Sequence, residues 1–257
     1  MSGSAARPVV DLAGTSMSAL ALAVPAVAER TGQQVTVVGG LAVVCRLSRP
    51  YRATTDLDTV HRRHDGEPAQ LELLLTSGAV RSGPSGVLVP TSAGEVQVDI
   101  LEVTDADLAR LPGDPTDRLH VLSHAWAAAS ATPVTIRAVG VPDLAINVAE
   151  PGPLVAMKLQ AVMNRSRAKE GTDLLDIIRL CLDPVTGPLV LTQLADSESQ
   201  LREDARRHAS RWFDDQAERS FRVVRAVPEG HEILLDDLRL VGELLHSVLP
   251  VGGAEGI

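Results

Sequence analysis

Val35-Thr36-Val37-Val38-Gly39-Gly40-Leu41-Ala42-Val43-Val44-Cys45-Arg46-Leu47 is the stretch that decides how this chain folds. Val35 to Val38 is a short β-branched run and predicts a buried strand. Gly39-Gly40 breaks it, and Leu41 to Leu47 has helical character. The order is therefore strand, glycine turn, helix. A helix that opens on such a turn offers free N–H groups and the positive end of its dipole to a phosphate. Glycine lets the backbone approach without a Cβ in the way. Taken alone, the pair reads as a plain tight turn.

Upstream, residues 15–31 predict a helix ending at Gly32, a good left-handed C-terminal residue. Ser18 to Ala28 within it is almost wholly apolar and ends in Ala26-Val27-Ala28, which has the look of an export cleavage site. Only Arg7 precedes it as a basic residue, Asp11 follows Arg7, and Pro25 interrupts the run. A helix packed on the next strand is the better reading. Downstream, Ser48 to Thr54 is a loop marked by Pro50, and Thr55 to Val60 is a second strand. Side chains alternate along a strand, so Asp56 and Asp58 share one face and Leu57 takes the other.

Pro68 to Ser77 predicts a helix with proline near its start. Gly86 to Pro90 and Glu95 to Val103 predict a hairpin across Thr91-Ser92-Ala93-Gly94. In its second arm Val96, Val98 and Ile100 share a face, and Gln97, Asp99 and Leu101 share the other. Asp117 to Ala129 is helical, with Asp117 as its cap, and Val134 to Val139 and Leu144 to Val148 are weaker strands. From Glu150 the pattern turns helical: Pro151 to Arg165, Thr172 to Leu182, Leu191 to Ala209, Arg211 to Ala226 and His231 to Leu249. The expected division is a mixed α/β domain over 1–149 and a helical C-terminal domain over 150–257. Met1–Ala6 and Gly252–Ile257 are expected to be loose tails.

At 257 residues, 45% of them apolar, the chain can bury a full core. Aromatics are only 2%, too few for a single-strand binder that stacks bases on exposed rings. A net charge of −9 argues against a protein that coats nucleic acid. Local basic islands stand out against it. Arg46 to Arg63 holds five arginines against Asp56 and Asp58, and Lys158, Arg165, Arg167 and Lys169 follow Pro153 with no acid among them. They could meet phosphates, or simply be solvated helix faces. Cys45 and Cys181 lie in apolar stretches and predict buried thiols in a reducing, cytoplasmic setting. No apolar run is long enough to span a bilayer. His120 and His124 have zinc-ligand spacing, but no third ligand is evident and a packed or solvated pair is favoured. His61 to His64 is expected in a surface loop, and the Arg202, Arg206, Arg207, Arg211 group in surface ion pairs.

Two aspartates on one strand face repel unless a cation lies between them. A hard divalent ion with oxygen ligands resolves the conflict. Asp99 is a third candidate carboxylate, in the middle of Val-Gln-Val-Asp-Ile-Leu, although an exposed sheet face would also explain it. Lys158 stands near the middle of an apolar helix, on the same helical face as Arg165.

The order strand, Gly39-Gly40, helix, Arg52-x-x-Thr55-Asp56-x-Asp58, then a lone strand aspartate resembles the DNA polymerase β-type nucleotidyltransferases. Met157-Lys158-Leu159-x-Ala161, with Arg165, Lys169-Glu170 and Asp173-Leu174, resembles the AbiEii/AbiGii toxins of type IV toxin–antitoxin and phage-defence systems. The likeness covers roughly residues 33 to 182. Glu170 stands where that family more often has aspartate, and the glycine turn lacks a serine common in nucleotidyltransferases. The resemblance implies an α/β (α+β) fold, a mixed sheet flanked by helices and followed by a helical part. It implies that Asp56, Asp58 and Asp99 hold Mg²⁺, two ions in all, with Mn²⁺ as a substitute. Gly39, Gly40, Arg52, Thr55, Lys158, Lys169 and Asp173 would bind a nucleoside triphosphate, with Asp173 orienting Lys158 or touching the nucleotide. The acceptor would be RNA, such as a tRNA 3′ end, and a cognate antitoxin would hold the enzyme in check. A small hydroxyl compound as acceptor, aminoglycoside-like, or a non-catalytic nucleotide-binding module are the alternatives.

Overall fold

The computed structural model describes residues 7–164 and 167–249, apart from the side chains of 164, 167 and 168. The expected tails, and the expected sharing of a helical face by Lys158 and Arg165, lie outside the described residues.

The chain forms two compact units. The first runs to Cys45 and adds Arg52–Ala106 and His124–Glu150; the second takes Arg46–Tyr51, Asp107–Ser123 and the described residues from Pro151 on. Two stretches from the N-terminal half thus belong with the C-terminal helices.

The first unit is built on one mixed eight-stranded sheet: β1 (Val9–Leu12), β2 (Thr36–Val38), β3 (Asp56–Arg63), β4 (Val80–Arg81), β5 (Gly86–Thr91), β6 (Gly94–Thr104), β7 (Thr132–Ala138) and β8 (Val141–Val148). The spatial order is β1-β7-β8-β2-β3-β6-β5-β4. β2 runs antiparallel to β3, and β3 runs parallel to β6. Helix α1 (Thr15–Thr31) packs on β5, β6, β7 and β8, and α3 (Gln70–Thr76) packs on α1, β5 and β6. Leu57, Val96, Val98 and Ile100 are buried, as alternation required, while Gln97 and Asp99 are only half-buried. α2 (Gly39–Arg46) begins directly at the glycine pair, with no intervening loop.

The local chemistry of the elements follows ordinary rules. Gly32 ends α1 in the left-handed conformation, and its amide donates to the Ala28 carbonyl. The β5–β6 turn closes through the Thr91 hydroxyl, which donates to the Gly94 carbonyl at 2.7 Å and accepts from the Ala93 amide at 3.1 Å.

The second unit contains α6 (Pro151–Ala161), α7 (Arg167–Leu182), α8 (Thr186–Ala195), α9 (Ser199–Ala209), α10 (Ala217–Arg225) and α11 (Leu235–Val248), with a π-turn over Ser210–Asp215 between α9 and α10. α4 (Asp105–Ala109) and α5 (Pro115–Ser130) complete the described helices.

Several expectations are corrected. The single helix expected over 191–209 is two helices. Asp183 Oδ1 accepts the Val185 and Thr186 amides and starts α8 early. The Ser197 hydroxyl and the Arg202 side chain take the Leu194 and Ala195 carbonyls and end it. Asp114, rather than Asp117, caps α5, accepting from the amides of Thr116 and Asp117. His61 to Arg63 continue β3, paired with β6 as far as Thr104, instead of forming a loop. β1 was not foreseen; it is four residues long and sits at the sheet edge on β7. No helix among the described residues is long and apolar enough to cross a membrane.

Candidate metal centre

The parallel pairing of β3 with β6 sets Asp58 opposite Asp99 and Asp56 opposite Gln97. One carboxylate oxygen from each of Asp56, Asp58 and Asp99 lies within 4.8 Å of the other two. All three are half-buried. Three anions this close repel, and hard oxygen donors in such a set suit a divalent cation of the Mg²⁺ or Mn²⁺ kind.

Each glycine of the turn is pressed against this cluster or its support. Gly39 has a left-handed φ of +63°, and a Cβ there would fall 1.8 Å from Asp58 Oδ2. A Cβ on Gly40 would lie 2.8 Å from Thr54 Oγ1 and 3.1 Å from an Arg52 guanidinium nitrogen. The first amides of a helix have no acceptor within it. The start of α2 therefore brings N–H groups and the positive dipole end beside the carboxylates, a setting for a phosphate bound next to a cation.

Two further residues hold the acids. The Thr54 hydroxyl, buried, donates to Asp56 Oδ1 at 2.9 Å. The Gln97 amide donates to Asp99 Oδ1 at 2.9 Å. Thr55, expected at the nucleotide, is exposed, and the hydroxyl on Asp56 is that of its neighbour. Arg52 is half-exposed and donates to the Ala53 carbonyl at 3.3 Å. Gln97 could have been found from sequence, since it alternates onto the face of Asp99. Thr54 had only proximity to recommend it.

The other predicted residues belong to the second unit. Lys158 is buried, with Nζ 2.5 Å from Asp173 Oδ1 and 2.6 Å from Asp176 Oδ2. Burial alone would lower its pKa, but the two carboxylates outweigh that and raise it. Asp176, not singled out from the sequence, also accepts from the Tyr51 hydroxyl. Lys169 is exposed. Glu170 is buried and gripped by both terminal nitrogens of Arg219. Within the arginine group expected at the surface, Arg207 does pair with Glu203, whereas Asp204 is fully buried against Arg118, with two bonds of 2.7 Å. Both cysteines are buried and neither is in a disulfide, and burial pushes the Cys181 thiol up to about 12.

No protein-family model matches the sequence, and no curated protein matches it. Among solved structures the chain is similar to an antigenic nucleotidyltransferase-like protein from Paracoccidioides brasiliensis, at 17% identity and a TM-score of 0.45, over 82% of this chain and 92% of that one.

Proposed function

We propose that this chain is a divalent-metal-dependent nucleotidyltransferase that moves a nucleotidyl group from a nucleoside triphosphate to an acceptor hydroxyl. The observation that carries the reading is the convergence of Asp56, Asp58 and Asp99 within 4.8 Å, against a glycine whose missing Cβ makes room for Asp58.

Asp56, Asp58 and Asp99 would hold the metal, Mg²⁺ by preference and two ions in a full site. Bound there, it would stabilise the attacking and leaving oxygens of an in-line displacement. The chain's own groups supply the rest. Gly39 and Gly40, at the start of α2, would bind triphosphate oxygens through backbone N–H groups. Arg52, beside Gly40, would offset charge on the phosphates. Asp99 Oδ2, the oxygen not held by Gln97, would accept the proton of the attacking hydroxyl. Nucleotide contacts by Thr55, Lys158, Lys169 and Asp173 belong to the same proposal and are supported by the resemblance alone.

The finer reading is a toxin of the AbiEii kind, acting in the cytoplasm on RNA such as a tRNA 3′ end and checked by a cognate antitoxin. It is supported by the motif likeness and by the arginine-rich stretch that runs into Asp56. The test incubates purified protein with total bacterial RNA, Mg²⁺ and each α-³²P nucleoside triphosphate, beside Asp58→Ala. A labelled tRNA-sized band lost in the variant is expected. Equal labelling by Asp58→Ala would sink the assignment, and label on a small hydroxyl compound would redirect the acceptor.

A further inference from the structure

Gln97 is held in a way that an ordinary strand glutamine is not. Its Nε2 donates to Asp99 Oδ1 at 2.9 Å and to the Ser82 carbonyl at 3.4 Å. Both amide hydrogens thus face acceptors, which fixes the amide orientation, since the flipped form would set Oε1 against two oxygens. The Ser82 carbonyl is itself fixed. Its residue closes a turn through the Ser82 amide, which donates to the Gly86 carbonyl at 2.8 Å, and the Ile100 amide ties that turn to β6 through the Ser85 carbonyl at 2.9 Å.

Gly86 completes the arrangement. Its φ lies outside the left-handed region, so backbone conformation does not call for glycine there. Space does. A Cβ would fall 2.4 Å from Gln97 Nε2, 2.5 Å from Asp99 Oδ1 and 2.5 Å from the Ser82 carbonyl. Three polar groups converge where a side chain would otherwise be.

We infer that Gln97 is the positioning residue of the metal centre: it ties down Asp99 Oδ1 and so aims the other oxygen at the space shared with Asp56 and Asp58. Without that bond, mutual repulsion turns Asp99 away from the two acids, because a carboxylate on a half-buried strand face has free rotamers to escape into. Partners that orient a metal-ligating carboxylate typically contribute 10–100-fold in metal affinity. The inference rests on the proposed metal site and assigns a role to a residue outside the ligand set.

The experiment titrates Mn²⁺ into wild type, Asp58→Ala, Gln97→Met and Gln97→Leu, reading free Mn²⁺ by electron paramagnetic resonance and the Tm of each protein in chelator. Gln97→Met is expected to bind Mn²⁺ about 10–100-fold more weakly, with Tm in chelator unchanged. Gln97→Leu repeats the test with a different apolar shape should Met at 97 disturb the sheet. Unchanged Mn²⁺ affinity in both variants, or a loss that follows a fall in chelator Tm, overturns the role of Gln97. Wild type that binds no more Mn²⁺ than Asp58→Ala overturns the metal site itself, a distinct outcome.

Discussion

Gly39 and Asp58 occupy space that would conflict if residue 39 had a side chain: its Cβ would lie 1.8 Å from Asp58 Oδ2. Gly39→Ala therefore forces the carboxylate aside and also places an L-residue at φ +63°. The backbone term alone costs about 1–2 kcal/mol. Gly32→Ala is the control, since Gly32 has φ +66° and nothing within 4 Å of its would-be Cβ. Both variants should lose stability in chelator, Gly39→Ala the more, because Asp58 Cβ, 2.7 Å from the added carbon, cannot swing aside as the carboxylate can. Only Gly39→Ala should lose Mn²⁺ binding and nucleotide transfer. Equal loss of binding in the two would show that strain, not displacement of Asp58, is at work.

Asp58 faces Asp99 across the β3–β6 pairing, so with metal removed by chelator the two carboxylates repel. Asp58→Asn relieves the repulsion, and in chelator this variant should be as stable as wild type or more stable by about 0.2–1 kcal/mol. Added Mn²⁺ should reverse the order, because a ligand that binds only the folded state stabilises it by mass action. Thermal melts with and without Mn²⁺ check both signs. A Tm of Asp58→Asn that rises with Mn²⁺ as much as wild type would count against the site.

Lys158→Met removes the cation from between Asp173 and Asp176, both buried. Breaking one partner of a buried pair costs about 3–5 kcal/mol, which a urea unfolding curve resolves. Because the folded-state pKa of Lys158 is raised, its contribution is fully present below its unfolded value, about 10.4. It is lost only as pH rises through the folded value. The gap between wild type and Lys158→Met should be widest at pH 9 and narrow toward pH 6, because the two buried carboxylates left unpaired in the variant take up protons as pH falls. A gap that closed toward pH 9 would refute the pairing.

Burial holds the pKa values of His61, His120 and His208 below the ordinary imidazole range. The unfolded chain then takes up protons that the folded one refuses. Stability should fall as pH drops through about 6.5, before the carboxylates titrate near 4. His208 Nδ1 donates to the Asp204 carbonyl at 2.7 Å, so an added proton enters at Nε2, which faces the Thr116 hydroxyl at 3.2 Å rather than open water. Urea midpoints at pH 8 and pH 5.5 measure the fall, and His208→Gln should remove part of it. A midpoint that did not move would contradict the burial argument.

The sequence alone determined the strand–glycine–helix order, the common face of Asp56 and Asp58, the β5–β6 hairpin and the helical C-terminal part. Each rests on a local period or on a turn residue whose effect spans a few positions. Tertiary structure decided the rest. Asp99 meets Asp58 because β3 pairs in parallel with β6, in a register that buries Leu57 with Val98 and Ile100, which are remote from it in sequence. Thr54 rather than Thr55 reaches Asp56, and Gln97 locks Asp99, because of directions that alternation alone does not fix between segments. Asp176 joins Lys158, and the helix expected over 191–209 divides, through side chains that find acceptors in space. Periodicity is a property of neighbours along the chain; the choice of partner across it depends on how the whole unit buries its apolar surface.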